Sequence, residues 1–342
     1  MSSSGRPHLS ALKLKRWGTL ALIVSSLLAV SIGSELSIVE SWSAFFLGPG
    51  PSQGQVILWW IRLPMIISAL LAGSILSLSG AAMQQLLRND LADPYLIGVA
   101  AGGGLGAALA LSFGWVDFFG LWLLPSASFL GALGASSWIE FSARRRDLSQ
   151  GERLLESPER LVLTGVALNL FLSALLTLTL SLSEERLGGV WRWLVGHINA
   201  LAWGEVLILS LSALTSAFLL FSIERDLSLM ESGEEVAWSL GVKIKRVRTQ
   251  TLIAVSLGVG AVVSFCGVIG FIGLIVPHMI RPKIIGEAQA LFVLSSIYGA
   301  LVLILCHILT LITPYSIPVG AVTGVIGGLS FLIMLGKKTP YS

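Results

Sequence analysis

The sequence predicts an all-α protein that crosses a membrane about ten times. Three observations predict it: long apolar runs separated by short polar breaks, a scarcity of charge, and basic residues gathered on alternate breaks. Of 342 residues, 54% are hydrophobic and 12% are charged, against about 25% charged in ordinary soluble domains. A soluble chain of this size needs more polar surface than that. A helix of about 20 residues crosses hydrocarbon because it satisfies its own backbone N–H and C=O groups where lipid offers no partners.

Taken in order, the apolar runs predict crossings over Trp17–Val39, Leu63–Leu86, Leu96–Phe113, Phe118–Phe141, Leu161–Ser181 and Glu205–Ile223. A C-terminal set follows at Thr249–Phe265, Gly267–Ile280, Ala288–Thr310 and Pro318–Gly336. The first run is too long for a signal-peptide core and more runs follow, so it reads as an uncleaved helix. The seventh and eighth are short, and they also read as one broken or re-entrant span. With the N-terminus inside, 19 of the 22 Lys and Arg fall in cytoplasmic segments, and only Arg62, Arg186 and Arg192 fall outside. That split is the positive-inside pattern. Merging the seventh and eighth runs would move Lys337 and Lys338 outside, which favours ten. The resulting organisation is a cytoplasmic tail over residues 1–16, a membrane domain over 17–336 and a cytoplasmic tail over 337–342. Trp17, Trp42, Trp59, Trp60, Trp115, Trp191 and Trp203 sit at predicted span ends, as interfacial aromatics do.

Glycines recur at four-residue spacing in two runs, Gly98, Gly102 and Gly106 in one and Gly320, Gly324 and Gly328 in the other. Such stripes let helix backbones approach closely in lipid, where dispersion rather than the hydrophobic effect holds helices together. Packing within one subunit and a seam or pathway between subunits both use that feature. Cys266 and Cys306 lie in apolar runs without metal-ligand spacing and read as small core residues. His197, His278 and His307 have no second ligand at helical spacing, so no metal site, cofactor or catalytic constellation is expected. The Arg144–Arg146 triplet lacks interleaved aromatics and reads as a loop anchor, which excludes a nucleic-acid role.

The polar segment 224–248 reads as a partner-facing loop. Ser232 followed by Glu235 has the form of a capping box. Val236, Ala237, Trp238 and Leu240 then supply an apolar turn and a half, and Gly241 stands where a left-handed C-cap belongs. The spacing predicts a helix of about two turns. So short a helix needs something packed on Trp238 and Leu240. Membrane surface and a soluble subunit fit equally, given Lys243, Lys245, Arg246 and Arg248 beside it.

An ordered set of motifs then carries a resemblance. Ile61-Arg62-Leu63-Pro64 opens the second run, which continues through Ser79-Gly80-Ala81-Ala82-Met83-Gln84 to Arg88-Asn89-Asp90-Leu91-Ala92-Asp93-Pro94 and Leu96-Ile97-Gly98-Val99. Further on come Trp193-Leu194-Val195-Gly196, Ala237-Trp238-Ser239-Leu240-Gly241-Val242, the block Gly267–His278 and Pro318-Val319-Gly320. Over nearly the whole chain this resembles the FecCD-type permeases, membrane subunits of ABC importers for iron–siderophores, haem and cobalamin. The resemblance implies the ten-helix fold of the cobalamin-importer type in a bacterial plasma (inner) membrane. It also implies a second permease subunit, two cytoplasmic ATPase subunits and an extracytoplasmic substrate-binding protein. It makes the segment from Ser232 to Gly241, with Glu235, Ala237, Trp238 and Leu240, the ATPase-coupling element. Arg62 becomes a docking residue for the binding protein, and Asn169, Ser173 and Thr177 become pathway residues on the fifth span.

The sequence departs from the family pattern at several points. Asp90 stands where proline is usual and Met65 where a second basic residue is. Ser316 replaces an acidic residue before the Pro-Val-Gly turn, Cys306-His307 replaces an Ala-Asp pair, and an Asp-His-Arg is missing from Gly286–Leu291. The chain has no phosphate-cradling Gly-x-x-x-x-Gly-Lys-Ser/Thr, so ATP hydrolysis falls to another subunit. An ion-coupled secondary transporter is the competing class, but it usually carries carboxylates mid-span, and the acidic residues here sit at predicted ends and loops. Neither Gly-x-Ser-x-Gly nor His-Glu-x-x-His is present, which disfavours an intramembrane enzyme.

Overall fold

The structure, a computed structural model, describes residues 11–33, 36–120, 122–150, 158–182, 194–284, 290–313 and 317–336. Outside these lie residues 1–10, the C-terminal tail with Lys337 and Lys338, Arg186, Trp191, Arg192, Trp193, Ser316 and most of Gly286–Leu291, whereas residues 11–16 of the expected N-terminal tail belong to the first helix.

The described chain is helical, without strands among those residues. Six helices are long and apolar enough to cross a membrane, and four apolar helices are shorter. The chain begins with α1 (Ala11–Ser31) and α2 (Ile38–Leu47). The predicted first crossing, Trp17–Val39, is therefore two elements. Its second part starts afresh at Ser37, whose Oγ accepts from the Glu40 amide (3.3 Å) while the Glu40 carboxylate accepts from the Ser37 amide (2.9 Å). That capping box lies in plain sight in the sequence and ends the continuous reading.

The central element, α3 (Gln53–Leu87), is 35 residues long and spans about 52 Å at 1.5 Å per residue. It starts ten residues before the predicted second crossing. Its stretch Ile57–Arg62 is a π-helical widening, placed just where the ring of Pro64 would otherwise meet the carbonyl one turn back. Small residues let neighbours close on it. A Cβ on Gly73 would run into the Gly299 carbonyl, one on Gly299 into the Gly73 carbonyl, and one on Gly80 into the Gly273 carbonyl.

Next come α4 (Val99–Ser112), α5 (Trp115–Phe119), α6 (Leu123–Gln150) and α7 (Pro158–Ser181). The predicted span Phe118–Phe141 is thus interrupted near Gly120. The helix α8 (Trp203–Ser222) leads into the short α9 (Glu224–Glu231) and α10 (Glu234–Ser239). The chain ends with α11 (Ile244–Cys266), α12 (Ile272–Ile280), α13 (Ala290–Ile312) and α14 (Val319–Gly336). Helices α8, α11, α12 and α13 all pack on α3, α4 pairs with α6 and α7, and α1 packs on α13.

The seventh and eighth predicted crossings are separate helices, joined by the non-helical Gly267–Phe271. At nine residues, α12 covers about 14 Å, less than half the hydrocarbon thickness.

Candidate functional site

One end of the bundle gathers the ends of α3, α8, α11 and α12 with α9 and α10. Ile223, Leu227 and Met230, spaced four and three residues apart, are buried and fix α9 against α3. That helical period was available in the sequence, but the charges around it (Glu224, Arg225, Asp226) mask it as loop.

The capping box expected at Ser232 and Glu235 does not form. Ser232 has helical backbone angles and closes α9, its amide donating to the Leu229 carbonyl (3.2 Å). Gly233, at φ +122°, takes the N-cap position of α10, a conformation that side-chain-bearing residues rarely adopt. The far end follows the expected closure. Gly241 has φ +87°, its amide donates to the Trp238 carbonyl (2.9 Å), and the Val242 amide donates to the Ala237 carbonyl (3.0 Å). This is a Schellman motif, with Ala237 and Val242 supplying its buried apolar contact.

Ala237 faces inward at 0% exposure, whereas Trp238 is 73% and Leu240 61% exposed, with Val236 beside them. An apolar surface on six helical residues is unstable in water unless the helix is anchored. Buried Ala237 and Val242 anchor it, and Glu234 ties it onward, its Oε1 lying 3.1 Å from Arg248 Nη2 on α11 and 3.6 Å from Arg88 Nη2 at the end of α3. Next to it, Glu231 pairs with Arg281 at the end of α12. Arg281 Nε also lies 3.2 Å from Asp90, the residue that stands where the family pattern has proline. Gln85 Nε2 adds a contact from α3 to the Glu231 carboxylate (3.4 Å). The network ties α10 to α3 and α11 and α9 to α12; the Glu234–Arg248 pair is shielded, where an ion pair is screened less than on open surface.

From this end α12 rises to its break, which α3 and the Pro94–Ile97 turn hold in place. Gln84 Nε2 donates to the Leu274 carbonyl (3.0 Å). The Tyr95 hydroxyl donates to the Ile269 carbonyl (3.1 Å) and accepts from the Ile269 amide (3.2 Å). Motifs far apart in sequence meet here. The Gly320 amide donates to the Gly196 carbonyl (3.0 Å), and the His197 amide to the Cys266 carbonyl (2.9 Å).

The remaining expected site residues fall in several places. Asn169 Nδ2 donates to the carbonyls of Tyr95 (3.1 Å) and Leu96 (3.3 Å), binding α7 to the turn before α4. Ser173 and Thr177 are exposed on α7, and the Thr177 hydroxyl donates to the Ser173 carbonyl (2.9 Å). Both α7 and α14 present long uncovered faces, Leu170 and Phe171 on one and Val325, Leu329 and Leu332 on the other. Arg62 is 7% exposed, and its Nη1 donates to the Val30 carbonyl (3.2 Å) and Ser41 Oγ (3.0 Å). A Cβ on Gly33 would collide with its guanidinium. Arg62 is therefore a strut between α1, α2 and α3, its guanidinium turned inward.

Of the glycine stripes, Gly102 and Gly106 meet the backbone of Gly131 and Ala127 on α6. Gly98 lies outside the α4 helix, at φ +78° between the turn and its first residue. Gly320 meets Val195, whereas Gly324 faces open space and Gly328 barely reaches Phe271. A second close contact on α14 is Gly327 against the Phe271 side chain. Among the described residues no three His, Cys, Asp or Glu come together as a metal site.

Residues 20–337 match the model of the FecCD transport family. The chain is 33% identical over 283 residues to the hemin transport system permease protein HmuU of Yersinia pestis, covering 81% of this chain and 82% of that one. It is 32% identical over 288 residues to the cobalamin import system permease protein BtuC of Halobacterium salinarum, covering 84% and 75%. A solved structure described as an inward-facing, metal-chelate type ABC transporter superposes with a TM-score of 0.80 at 29% identity, over 96% of this chain and all of that one.

Proposed function

The chain belongs to the FecCD transport family, and from that premise we propose that it is the membrane permease subunit of an ABC importer carrying a metal chelate of the haem, iron–siderophore or cobalamin class inward. It is a multi-pass membrane protein. The charged end faces the cytoplasm of a bacterial inner membrane, with both termini on that side. There α10 docks on a separate ATPase subunit, which hydrolyses the ATP. The observation that carries this reading is the exposed Val236, Trp238 and Leu240 surface on a helix whose own acid, Glu234, is bound to α3 and α11.

That arrangement supports a mechanical role. A push on α10 reaches α3 through Arg88 and α11 through Arg248, while Glu231 passes it to α12 through Arg281. Closely packed helices respond as rigid bodies, so a small displacement at one end reorients spans. The uncovered faces of α7 and α14 receive the second permease subunit, and Ser173 and Thr177 line the path between subunits. A binding protein delivers cargo at the opposite end, through residues other than Arg62.

Proteoliposomes containing the chain with a partner ABC ATPase and an exported binding protein from the same cell are the test. ATP-dependent uptake of haem, a ferric siderophore or cobalamin is expected. Uptake of none of the three would overturn the cargo class. Uptake driven by an ion gradient without the ATPase would overturn the importer reading in favour of a secondary transporter.

A further inference from the structure

A cavity of about 370 Å³ opens beside α10, where α8 ends and α11 begins. Its floor is fixed by Gln250, whose Nε2 donates to Ser222 Oγ (2.7 Å) and to the Leu219 carbonyl (3.2 Å). Lys243, Arg246 and Asp226 line it, and none of these three has an ion-pair partner among the described residues. Lys243 and Arg246 stand at the head of α11, whose first turn has no acidic residue and no side-chain cap. Its leftover amides add to the positive potential.

An apolar stripe on α8 and one exposed apolar residue on α11 follow the membrane spans away from this cavity. On α8, Phe218 and Leu214 lie one and two turns from Ser222 and are 73% and 64% exposed. On α11, Ile253 lies two turns from Arg246 and is also exposed. A charged pocket at the base of an apolar span face, where two spans end, has the outline of an amphiphile with its head at the interface.

We propose that this cavity holds the headgroup of a membrane phospholipid, with the phosphodiester on Lys243 and Arg246 and a primary ammonium on Asp226. Two cations and one carboxylate match a headgroup that carries both a phosphate and an amine, as phosphatidylethanolamine does. A purely anionic headgroup would leave Asp226 facing negative charge. The exposed Leu214, Phe218 and Ile253 favour a lipid over an acidic segment of a protein partner, because they lie on the spans and not on α10 with Trp238. The inference rests on the membrane-spanning reading alone, and the identity of the cargo does not enter it.

The full chain, purified in detergent, is incubated with phosphatidylethanolamine, phosphatidylglycerol or soluble phosphoethanolamine, and retained ligand is counted by native mass spectrometry. The wild type is expected to retain phosphatidylethanolamine over phosphatidylglycerol. Each basic group near a bilayer surface contributes about fivefold, so K243A/R246A should retain at least about tenfold less. K243Q/R246Q keeps the side-chain bulk and should lose the same amount, which separates charge from packing. D226N should bind both lipids equally. The proposal is overturned if the double variants retain as much lipid as wild type, or if phosphatidylglycerol is preferred. It is also overturned if phosphoethanolamine competes as well as the whole lipid, which marks a soluble-phosphate site. Weaker ATPase binding with unchanged lipid retention would assign the cavity to the protein partner and equally overturn it.

Discussion

The hydroxyl of Tyr95 makes two hydrogen bonds to one residue, donating to the Ile269 carbonyl at 3.1 Å and accepting from the Ile269 amide at 3.2 Å. Ile269 lies in the non-helical link between α11 and α12, where no ladder satisfies the backbone. One phenol therefore takes the place of a turn of helix. Tyr95→Phe keeps the ring and leaves a buried amide and carbonyl without partners, which costs about 1–3 kcal/mol. Lower thermal stability in detergent is expected, along with faster proteolysis within 267–271. A melting curve superimposable on wild type would mean that the link is held by packing alone.

Much of the fold is legible in the sequence, because apolar runs and the charge split follow from the bilayer itself. The features missed are those that depend on pairs. Gly73 and Gly299 belong to no stripe of four-residue spacing and become packing positions only because α3 and α13 bring them face to face. Gly324 matches a stripe by spacing, yet the helix turns it to open space, and Gly327 takes the contact. The capping signal at Ser232 was outcompeted by α9, whose buried Leu227 and Met230 pull that segment into a helix of its own. Arg62 reads as exposed because it flanks a span, and its burial follows from α2, which an unbroken first crossing hides.

The glycine contacts make a contrast within one experiment. A Cβ on Gly102 would lie 2.7 Å from the Ala135 Cβ and against the Gly131 carbonyl, whereas one on Gly324 meets nothing within 4 Å. Gly102→Val should destabilise by at least about 1–3 kcal/mol through overpacking, with reduced yield of folded protein from membranes. Gly324→Ala should leave monomer stability unchanged. Equal losses at both positions would contradict the α4–α6 packing.

Arg62 separates stability from docking. Removing its guanidinium abandons hydrogen bonds to Val30 and Ser41 in a buried setting, worth about 1.5–3 kcal/mol for bonds made by a charged group. Arg62→Ala should lower the melting temperature. The folded fraction should bind the binding protein with nearly wild-type affinity. A large affinity loss at unchanged stability would restore Arg62 to the docking surface.

Glu224, at the start of α9 and outside the spans, has its carboxyl pushed by burial from the usual 4.5 up to about 7. Between those values the folded chain holds a proton that the unfolded chain has released. Stability therefore falls as pH rises from about 4.5 to about 7 and is level above that. Glu224→Gln should flatten this stretch of the stability–pH curve and raise stability at neutral pH. An unchanged curve would place the titration elsewhere.

The last prediction separates docking from transmission. Trp238 and Leu240 are exposed and touch no charge network, whereas Glu234 is shielded and holds α10 to Arg88 and Arg248. Trp238→Ala with Leu240→Ala removes the apolar surface and should weaken ATPase binding at least tenfold, since burying each such side chain contributes about 1.5–3 kcal/mol. Glu234→Gln leaves that surface in place but cuts the tie to α3 and α11. The ATPase should still bind within a few-fold of wild type, while uptake per ATP hydrolysed falls in proteoliposomes. If Glu234→Gln instead lost binding and uptake in step, α10 would be a docking site only, and force would have to reach the spans by another route.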